Sequence, residues 1–558
     1  MNCVALRLMR KILHTFALIG LTVMVAFHAY TLDVTNDEAY SFFLLKTEYY
    51  RALFGTANTH WLNSILMKIE MLTLGDAPFA WRLHSVLAFP FFCVGVYRVT
   101  GFTRNNALAI ICYSLIVLNP YVLDWFALAR GYALALTFQV WVLYYLIRVT
   151  SYELRVPKRS GKGHFKKDKL KNTSVSRLFS QLVTRNSLTR NSSLFYVWAK
   201  ILLLCALMLV ANLSYFYTFL GIFSVFLLST RKTILQIVTE KRTERFTKSF
   251  YILTRSEIII LALGFVLLLF LAMANLWFVR QNDPSMYGGN ELVYSIFGTV
   301  WEAFFYQMND GGIAVVLAWL TLASLLIFGG ISAARFIKNR QITLAFSLTL
   351  IVGVLVLLNL FFHILFDAPY LANRTALQWW IPGVLLVFFR TDDFSRREAN
   401  DPTAKVVGTG ETYKVFRNLM GLGVSAILAI HLYTQFNPNI AYEWRDASYS
   451  KRITNDLHEL KAKNVGLNKY VIGVFSNYYK ITDERFEDLQ YQHLPEKKLK
   501  DCEEKEWGKL SNLDYIIVSF DETIDCLQRR NIGYEIVRQY DNHRVVRLGT
   551  RNPQPATR

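Results

Sequence analysis

The sequence predicts an all-α protein that crosses the membrane many times and ends in a small α/β domain outside the bilayer. Hydrophobic residues make up 53% of its 558 residues, whereas soluble proteins average about 45–50%. Uncharged stretches close to the ~20 residues that a helix needs to cross a bilayer recur along the chain. Beyond Tyr442 these stretches stop, and the composition becomes that of a soluble domain.

Five uncharged stretches are long enough to cross the membrane on their own. They cover residues 12–32, 258–279, 311–334, 341–366 and 418–442. Shorter stretches, which we interpret as helices shielded within a bundle, cover residues 83–97, 107–123, 131–147 and 375–389. Residues 194–230 contain one charge and lie between basic loops, so they must cross an even number of times. We predict two spans there, with the turn at residues 212–214, and about eleven spans in all.

The basic residues set the orientation. The net charge of +20 is concentrated in the loops 151–193 and 231–255, and Lys/Arg-rich loops beside membrane spans remain cytoplasmic. Because the charge is not carried by a folded basic domain, we do not expect nucleic acid as a partner. With a cytoplasmic N-terminus and an uncleaved first span, eleven crossings keep each strongly basic loop inside. The protein is therefore predicted to lie in the plasma (inner) membrane.

The predicted division into domains places a transmembrane domain at residues 1–442 and an extracytoplasmic domain at residues 443–558. In the latter, residues 453–463 are predicted to be helical. Short strands are predicted at residues 469–476, 514–520 and 534–537. Cys502 and Cys526 could form a disulfide there. We find no catalytic motif in this tail.

The first outside loop, residues 33–81, begins with the acidic pair Asp37-Glu38. A carboxylate at the membrane surface can act as a general base towards an acceptor hydroxyl. It can also bind a cation that neutralises phosphate. The pair could equally begin a solvated helix, because the helix dipole favours acidic residues at the N-terminus.

Two stretches of the same loop mix apolar, aromatic and charged residues, which is typical of helices lying in the membrane surface. They cover residues 39–54 and 61–74, and Asn58 and His60 lie between them. A lone histidine such as His60 is more often structural than functional.

Two further clusters face the same side of the membrane in this topology. Residues 119–132 contain Asp124, Arg130 and Tyr132, which could bind substrate or form an interfacial turn with an Asp–Arg pair. Arg374 precedes a later span. Its guanidinium suits bidentate phosphate binding, although it could also anchor the helix at the interface. Such an arrangement suits a lipid-linked phosphate donor and an acceptor outside the cytoplasm.

Five motifs follow one another along the chain. They are NDEAY, ANTHWLNSILMK (57–68), LGDAPFAWRLHSV (74–86), FALARGYALAL (126–136) and the later NRTALQWWIP. Their order resembles the GT-C class of membrane glycosyltransferases. It is most similar to the branch that contains Rgt-type lipopolysaccharide glycosyltransferases, protein O-mannosyltransferases and the aminoarabinose transferase of lipid A. The similarity covers residues 1–382 in layout, and its specific motifs lie mostly within residues 35–136.

The resemblance implies inverting transfer of a sugar from a polyprenyl-phosphate carrier to a glycolipid, polysaccharide or protein acceptor. Asp37 would be the general base, and Glu38 would orient it or bind a cation or the donor. A divalent cation, held by Asp37 and Glu38 if at all, is left open. The residues implied in substrate or donor-phosphate binding are Arg374, Arg130, Tyr132, His60, Asn58, Arg82 and Asp124.

Three alternatives remain open from the sequence. A transporter or flippase of lipid-linked sugars would bury ionisable residues at mid-membrane or show inverted repeats, whereas the predicted span centres are free of charge. A polymerase or ligase usually carries its large outside loop late in the chain. A non-catalytic scaffold would not require an intact acidic pair.

The odd number of crossings predicts an extracytoplasmic C-terminus. A reporter that is active only in the cytoplasm should therefore be silent when fused after Arg558. The same reporter inserted in the basic loop 151–193 should be active, which provides the matched control. Activity of the C-terminal fusion would mean that the predicted number of spans is wrong by one.

Overall fold

The computed structural model is mostly helical. It describes residues 3–48, 60–103, 105–154, 194–239, 255–282, 289–305, 311–339, 342–366, 368–389, 410–438, 440–442, 449–486, 488–494, 512–519, 521–530, 532–540 and 543–549.

Within these residues, eight helices are long and apolar enough to cross a bilayer, so the chain is a multi-pass membrane protein. A ninth crossing is counted if the pair Asn106–Val117 and Pro120–Phe126, bent by 54°, forms one span. Each of these helices overlaps a membrane span that the sequence predicts. The eight helices are Cys3–Thr31, Leu83–Thr100, Gly131–Leu154, Leu194–Ala211, Phe216–Thr239, Arg255–Asn282, Gly311–Asn339 and Leu344–Phe366.

The two remaining predicted spans are also helical but are not among these eight. Residues 375–389 form a 3₁₀-helix, Asn373–Trp379, followed by a helix over 380–389. Residues 418–442 overlap the helix Gly410–Gln435. The total of eleven crossings therefore remains a prediction.

The chain divides into two compact units. The first comprises Met1–His14, Ala88–Leu123 and Gly131–Gln435, and the second comprises Thr15–Leu87, Asp124–Arg130 and Phe436–Arg558. This division differs from the predicted boundary at residue 442, because the second unit groups the tail with two earlier segments of the chain. Each unit is described below by itself.

In the first unit, the helix Gly410–Gln435 packs closely against the helix Asn106–Val117. A methyl group added at Gly421 would lie 2.9 Å from Cα of Ala107, so only glycine permits this approach. Ser114 and Ser425 form a hydrogen bond of 2.8 Å at the same interface. Small residues allow such close packing between helices in a bilayer.

In the second unit, the tail forms a five-stranded sheet in the order β2-β1-β3-β5-β4. β1 is parallel to β2 and β3, and β5 is antiparallel to β3 and β4. The helix Asp521–Arg529 packs on the sheet through Leu527, which is buried with Ile516 and Val546. The strands are Asn464–Leu467 (β1), Gln490–His493 (β2), Tyr515–Val518 (β3), Tyr534–Gln539 (β4) and Arg544–Leu548 (β5).

The predicted strands at residues 514–520 and 534–537 correspond to β3 and β4, and the helix Ser450–Glu459 overlaps the predicted helix 453–463. The strand predicted at residues 469–476 is wrong. Those residues form the helix Lys469–Val474, which continues as a π-helix and the short helix Lys480–Thr482. The reason is local, because Asn468 caps the helix by accepting a 2.9 Å hydrogen bond from the amide of Val471.

The first outside loop contains the two predicted surface helices. The acidic helix, Asn36–Thr47, begins three residues before the predicted 39–54, and residues 49–59 lie outside the described part of the chain. The surface helix Trp61–Leu74 has the predicted bounds. Ile65, Ile69 and Leu72 form an exposed apolar stripe along it, as expected for a helix in the membrane interface.

The described cysteines differ in their state. Cys93, Cys112 and Cys205 are free and buried in helices. Cys526 is disulfide-bonded, and its predicted partner, Cys502, lies outside the described residues.

Candidate active site

A buried ion pair lies at the centre of the candidate site, in the second unit. Arg82 Nη2 lies 2.6 Å from Glu38 Oε2, and Arg82 Nε lies 2.8 Å from Glu38 Oε1. Both side chains are 0% exposed. Two parallel N–H···O bonds of this kind are the strongest geometry available to an arginine and a carboxylate.

The remaining donors of Arg82 bind the end of the first membrane helix. Nη1 donates to the carbonyls of Ala29 (2.9 Å) and Leu32 (2.7 Å), and Nη2 donates to the carbonyl of Asp33 (3.0 Å). The last carbonyls of a helix have no partner within the helix, and a cation there also complements the helix dipole. Arg82 therefore joins the end of the first helix to the acidic helix, and all five of its N–H groups are used.

Glu38 is equally saturated. Its Oε1 also accepts the amide of Ala129 at 2.8 Å, and its Oε2 also accepts the amide and the hydroxyl of Thr35 at 3.1 Å each. Burial by itself would raise the pKa of Glu38, but the charge and hydrogen bonds of Arg82 and the amides of Ala129 and Thr35 outweigh burial and lower the pKa.

These contacts bear on two roles expected from the sequence. Arg82 was expected to bind donor phosphate, whereas each N–H group of its guanidinium binds the protein. Glu38 was expected to orient Asp37 or to bind a cation or the donor, and both of its oxygens accept several protein hydrogen bonds. The side chain of Glu38 is also fully buried, so its replacement is expected to affect folding.

The local sequence explains why Glu38 turns inward. Thr35 precedes the acidic helix, and its hydroxyl accepts the amide of Glu38 while the side chain of Glu38 reaches back to the amide of Thr35. This reciprocal arrangement is a capping box, whose pattern is Ser/Thr followed three residues later by Glu/Gln. The sequence Thr35-Asn36-Asp37-Glu38 matches this pattern, and it assigns the capping role to Glu38 and not to Asp37.

The segment that carries Arg130 is held by contacts to both backbone groups of one residue, Ala129. The amide of Ala129 donates to Glu38, and its carbonyl accepts from Nδ2 of Asn63 at 3.0 Å. Oδ1 of Asn63 lies 2.8 Å from Nε2 of His84, whose Nδ1 lies 2.7 Å from Glu70. The position of Ala129, and so of its neighbour Arg130, is fixed by contacts from two separate helices.

Asp37 points differently from Glu38. Its Oδ2 lies 3.2 Å from Nη2 of Arg130, and the Asp37 side chain is 15% exposed while that of Arg130 is 1% exposed. The acidic pair is thus divided into a buried, saturated carboxylate and an accessible carboxylate held by a buried cation. Of the two acids, Asp37 has the more exposed side chain.

Asp124 anchors the same segment at its other end. Its Oδ1 lies 3.2 Å from Nε2 of His28, and its Oδ2 accepts the amide of Tyr442 at 2.9 Å. Asp124 is buried. These contacts give each oxygen a partner within the protein, and the expected role of Asp124 in substrate binding stays a prediction.

Asp33 is a half-buried carboxylate that sequence analysis did not select. It follows the first membrane helix by two residues, and its Oδ2 accepts the amide of Lys451 at 3.4 Å. Burial raises the pKa of Asp33, against the opposing effect of Lys451 and Arg82. Its position directly after the first span is the sequence signal that could have identified Asp33. No sequence pattern of this kind points to Asn63 or His84, which fix the position of Ala129.

The other predicted residues are placed as follows. His60 is buried at the start of the surface helix Trp61–Leu74, and Asn58 lies outside the described residues. Tyr132 and Arg374 belong to the first unit, where Tyr132 is buried and Arg374 is half-buried. Among the described residues, no group of three His, Cys, Asp or Glu side chains could hold a metal ion.

The 3₁₀-helix that carries Arg374 is anchored by its neighbours in the first unit. The amide of Asn373 donates to Oγ1 of Thr299 at 2.8 Å, and Nε1 of Trp379 donates to the carbonyl of Ile296 at 2.6 Å. Asn373 has a left-handed backbone conformation with φ of 49°. The segment therefore has a defined conformation in which Arg374 is neither fully buried nor fully exposed.

Comparison with known proteins gives structural neighbours only. No protein family model matches the chain, and no curated protein matches it. The fold is similar to that of ArnT from Cupriavidus metallidurans, solved in the apo state and with undecaprenyl phosphate. These two structures have TM-scores of 0.46 and 0.44, both with 11% identity over 95% of this chain and 97% of that one.

The apo oligosaccharyltransferase of Archaeoglobus fulgidus is also similar, with a TM-score of 0.40 and 12% identity over 90% of this chain and 69% of that one. ArnT and this oligosaccharyltransferase, AglB, are GT-C glycosyltransferases, the class that the sequence motifs resemble.

The saturation of Glu38 generates a prediction about stability. Replacing Glu38 by Gln removes one partner of a fully buried ion pair and leaves the charge of Arg82 uncompensated. We expect a loss of about 3–5 kcal/mol in the free energy of unfolding, measured as a lower thermal midpoint in detergent.

Asp76→Asn is the matched control, because the ion pair of Asp76 with Lys46 is exposed at the surface and its loss should leave the midpoint nearly unchanged. Since the pKa of folded Glu38 lies below its ordinary value, the pair stabilises the protein at neutral pH. That stabilisation is lost as the pH falls through the folded-state pKa. The difference between wild type and Glu38→Gln should therefore shrink on acidification. Equal midpoints at neutral pH would contradict a stabilising role for the pair.

Proposed function

We propose that this protein is an inverting glycosyltransferase of the GT-C class. It transfers a sugar from a polyprenyl-phosphate donor to a glycolipid, polysaccharide or protein acceptor outside the cytoplasm. The observation that carries the proposal is the division of the acidic pair. Glu38 is locked into the fold by Arg82, whereas Asp37 is accessible and held by Arg130.

The position of Asp37 suits this chemistry. It lies six residues beyond Thr31, where the first membrane helix ends. A lipid-linked donor presents its phosphate and sugar at that level, beside the hydrocarbon layer. Neighbouring exposed apolar residues on the surface helix Trp61–Leu74 are consistent with a site at the membrane interface.

The proposed reaction uses Asp37 as the general base. An acceptor hydroxyl gives its proton to the Asp37 carboxylate as its oxygen attacks the anomeric carbon of the donor sugar. The bond between that carbon and the phosphate oxygen breaks on the opposite face, so the configuration inverts and polyprenyl phosphate leaves. Phosphate is a good leaving group and requires no proton. Asp37 then returns its proton to solvent.

Two arginines have separate roles in this proposal. Arg130 orients Asp37, because its buried guanidinium lies 3.2 Å from the carboxylate. Arg374 binds the carrier phosphate, as the resemblance implies, with two parallel hydrogen bonds that an ammonium group cannot provide. Glu38 and Arg82 are positioning residues, since they act through the acidic helix and the Ala129 peptide.

The proposal also places the protein in the plasma membrane, with about eleven crossings and the tail outside the cytoplasm. The disulfide at Cys526 supports this orientation, because disulfides persist in oxidising compartments. ArnT was solved with undecaprenyl phosphate and AglB with a dolichol phosphate. We propose a carrier of the same polyprenyl-phosphate chemistry for this chain.

Asp37→Asn should abolish transfer while leaving the protein folded. Asparagine keeps the shape of the side chain but cannot accept the proton, and general-base catalysis is worth about 10²–10⁴ in rate. The measurement is release of polyprenyl phosphate from polyprenyl-phosphate sugars by purified protein, with detergent-extracted size checked in parallel. Near-normal release by Asp37→Asn would remove Asp37 from the mechanism.

Arg374→Ala should weaken donor use more than Arg374→Lys does. Lysine keeps the positive charge and loses only the bidentate geometry, so the expected order of activity at limiting donor is wild type, Lys, then Ala. A rise in KM for the donor is the measured quantity. If both variants match wild type, Arg374 serves only as an interfacial anchor.

A further inference from the structure

The C-terminal segment of the second unit, Phe436–Arg558, contacts each of the segments from which the candidate site is built. All of these contacts lie within the second unit. They involve residues between Phe436 and Thr482, ahead of most of the sheet. Three contacts, to the acidic helix, to the segment preceding Arg82 and to the segment carrying Arg130, are independent of one another.

The contact with the acidic helix is the closest. Gly473, in the helix Lys469–Val474, lies against the side chain of Asn36, the residue before Asp37. A methyl group added at Gly473 would overlap Oδ1 of Asn36 and lie 2.8 Å from its Cγ. Either Asn36 must change its side-chain conformation or the two helices must separate to accept it.

The second contact is aromatic. The ring of Tyr478 lies 5.2 Å from that of Phe42 on the acidic helix and 5.3 Å from that of Trp81, measured between centroids. Trp81 directly precedes Arg82 and is fully buried. Such ring pairs are favourable beyond the area they bury, so Tyr478 helps to fix the positions of both segments.

The third contact fixes the segment that carries Arg130. The amide of Tyr442 donates to Asp124 at 2.9 Å, and the carbonyl of Pro438 accepts from Oγ1 of Thr31 at 2.7 Å. Asp124 begins the segment that ends with Arg130. The chain that follows the helix Gly410–Gln435 therefore contacts both the end of the first helix and the start of this segment.

We infer that the helix Lys469–Val474 and the π-helix that follows it form a positioning element for Asp37, with Gly473 against Asn36 as the decisive contact. The inference rests on the proposed role of Asp37 as the base. It assigns to the tail a part in setting the geometry of the reaction, although the tail contains no catalytic motif. A misplacement of about 1 Å at a reacting group can lower a rate by about 10²-fold.

The test compares Gly473→Ala with Gly533→Ala in the full-length protein. Gly533 lies in the same domain, where an added methyl group would meet only Cα of Gly549 at 3.9 Å. We expect Gly473→Ala to lower kcat by about 10-fold or more with little change in KM for the donor, and Gly533→Ala to behave as wild type. Because Asn36 supplies the clash, Asn36→Ala combined with Gly473→Ala should restore most of kcat.

Hydrogen exchange gives a readout that does not require activity. In Gly473→Ala, amide exchange should increase in a peptide covering residues 33–40 and stay unchanged in one covering residues 61–74. If wild type shows no transfer but exchange responds as expected, the proposed function fails and the positioning contact stands. Wild-type kinetics for Gly473→Ala, or a loss that Asn36→Ala does not relieve, would overturn the inference.

Discussion

The candidate site depends on the buried ion pair between Arg82 and Glu38. Removing two charges from water costs several kcal/mol per ion, and such a pair is tolerated only when further hydrogen bonds satisfy its remaining donors and acceptors. Here that condition is met, because Arg82 binds three carbonyls at the end of the first helix and Glu38 binds the amides of Thr35 and Ala129. One interaction thereby fixes three segments that are distant in the sequence.

This constraint separates the functions of two adjacent acids. The helix that begins at Asn36 turns consecutive side chains about 100° apart, so Asp37 and Glu38 cannot both face the same partner. Glu38 faces inward to Arg82, and Asp37 faces Arg130 with part of its surface exposed. A rigid inner carboxylate and an accessible outer one suit the proposed role of Asp37 as a base, since positioning and proton transfer would then be carried by different groups.

The structure also changes the assignment of the C-terminal tail, residues 443–558, to a structural unit. Its sheet has an ordinary hydrophobic core, but residues between β1 and β2 pack against the acidic helix and the segment before Arg82. A boundary placed at residue 442 follows composition, whereas the compact unit follows contacts and includes Thr15–Leu87 and Asp124–Arg130. The tail is therefore part of the unit that contains the candidate site.

The sequence by itself determined the membrane helices, the surface helix Trp61–Leu74 and the presence of an acidic pair after the first span. These follow from hydrophobicity over short windows, which does not require knowledge of distant contacts. It also contained the capping box of Thr35 and Glu38. Only the tertiary structure decided that the side chains of Arg82 and Asp124 bind other groups of the same chain. It also decided that residues 469–474 form a helix against Asn36. Such roles depend on which side chains meet across long stretches of chain, and no local pattern encodes that pairing.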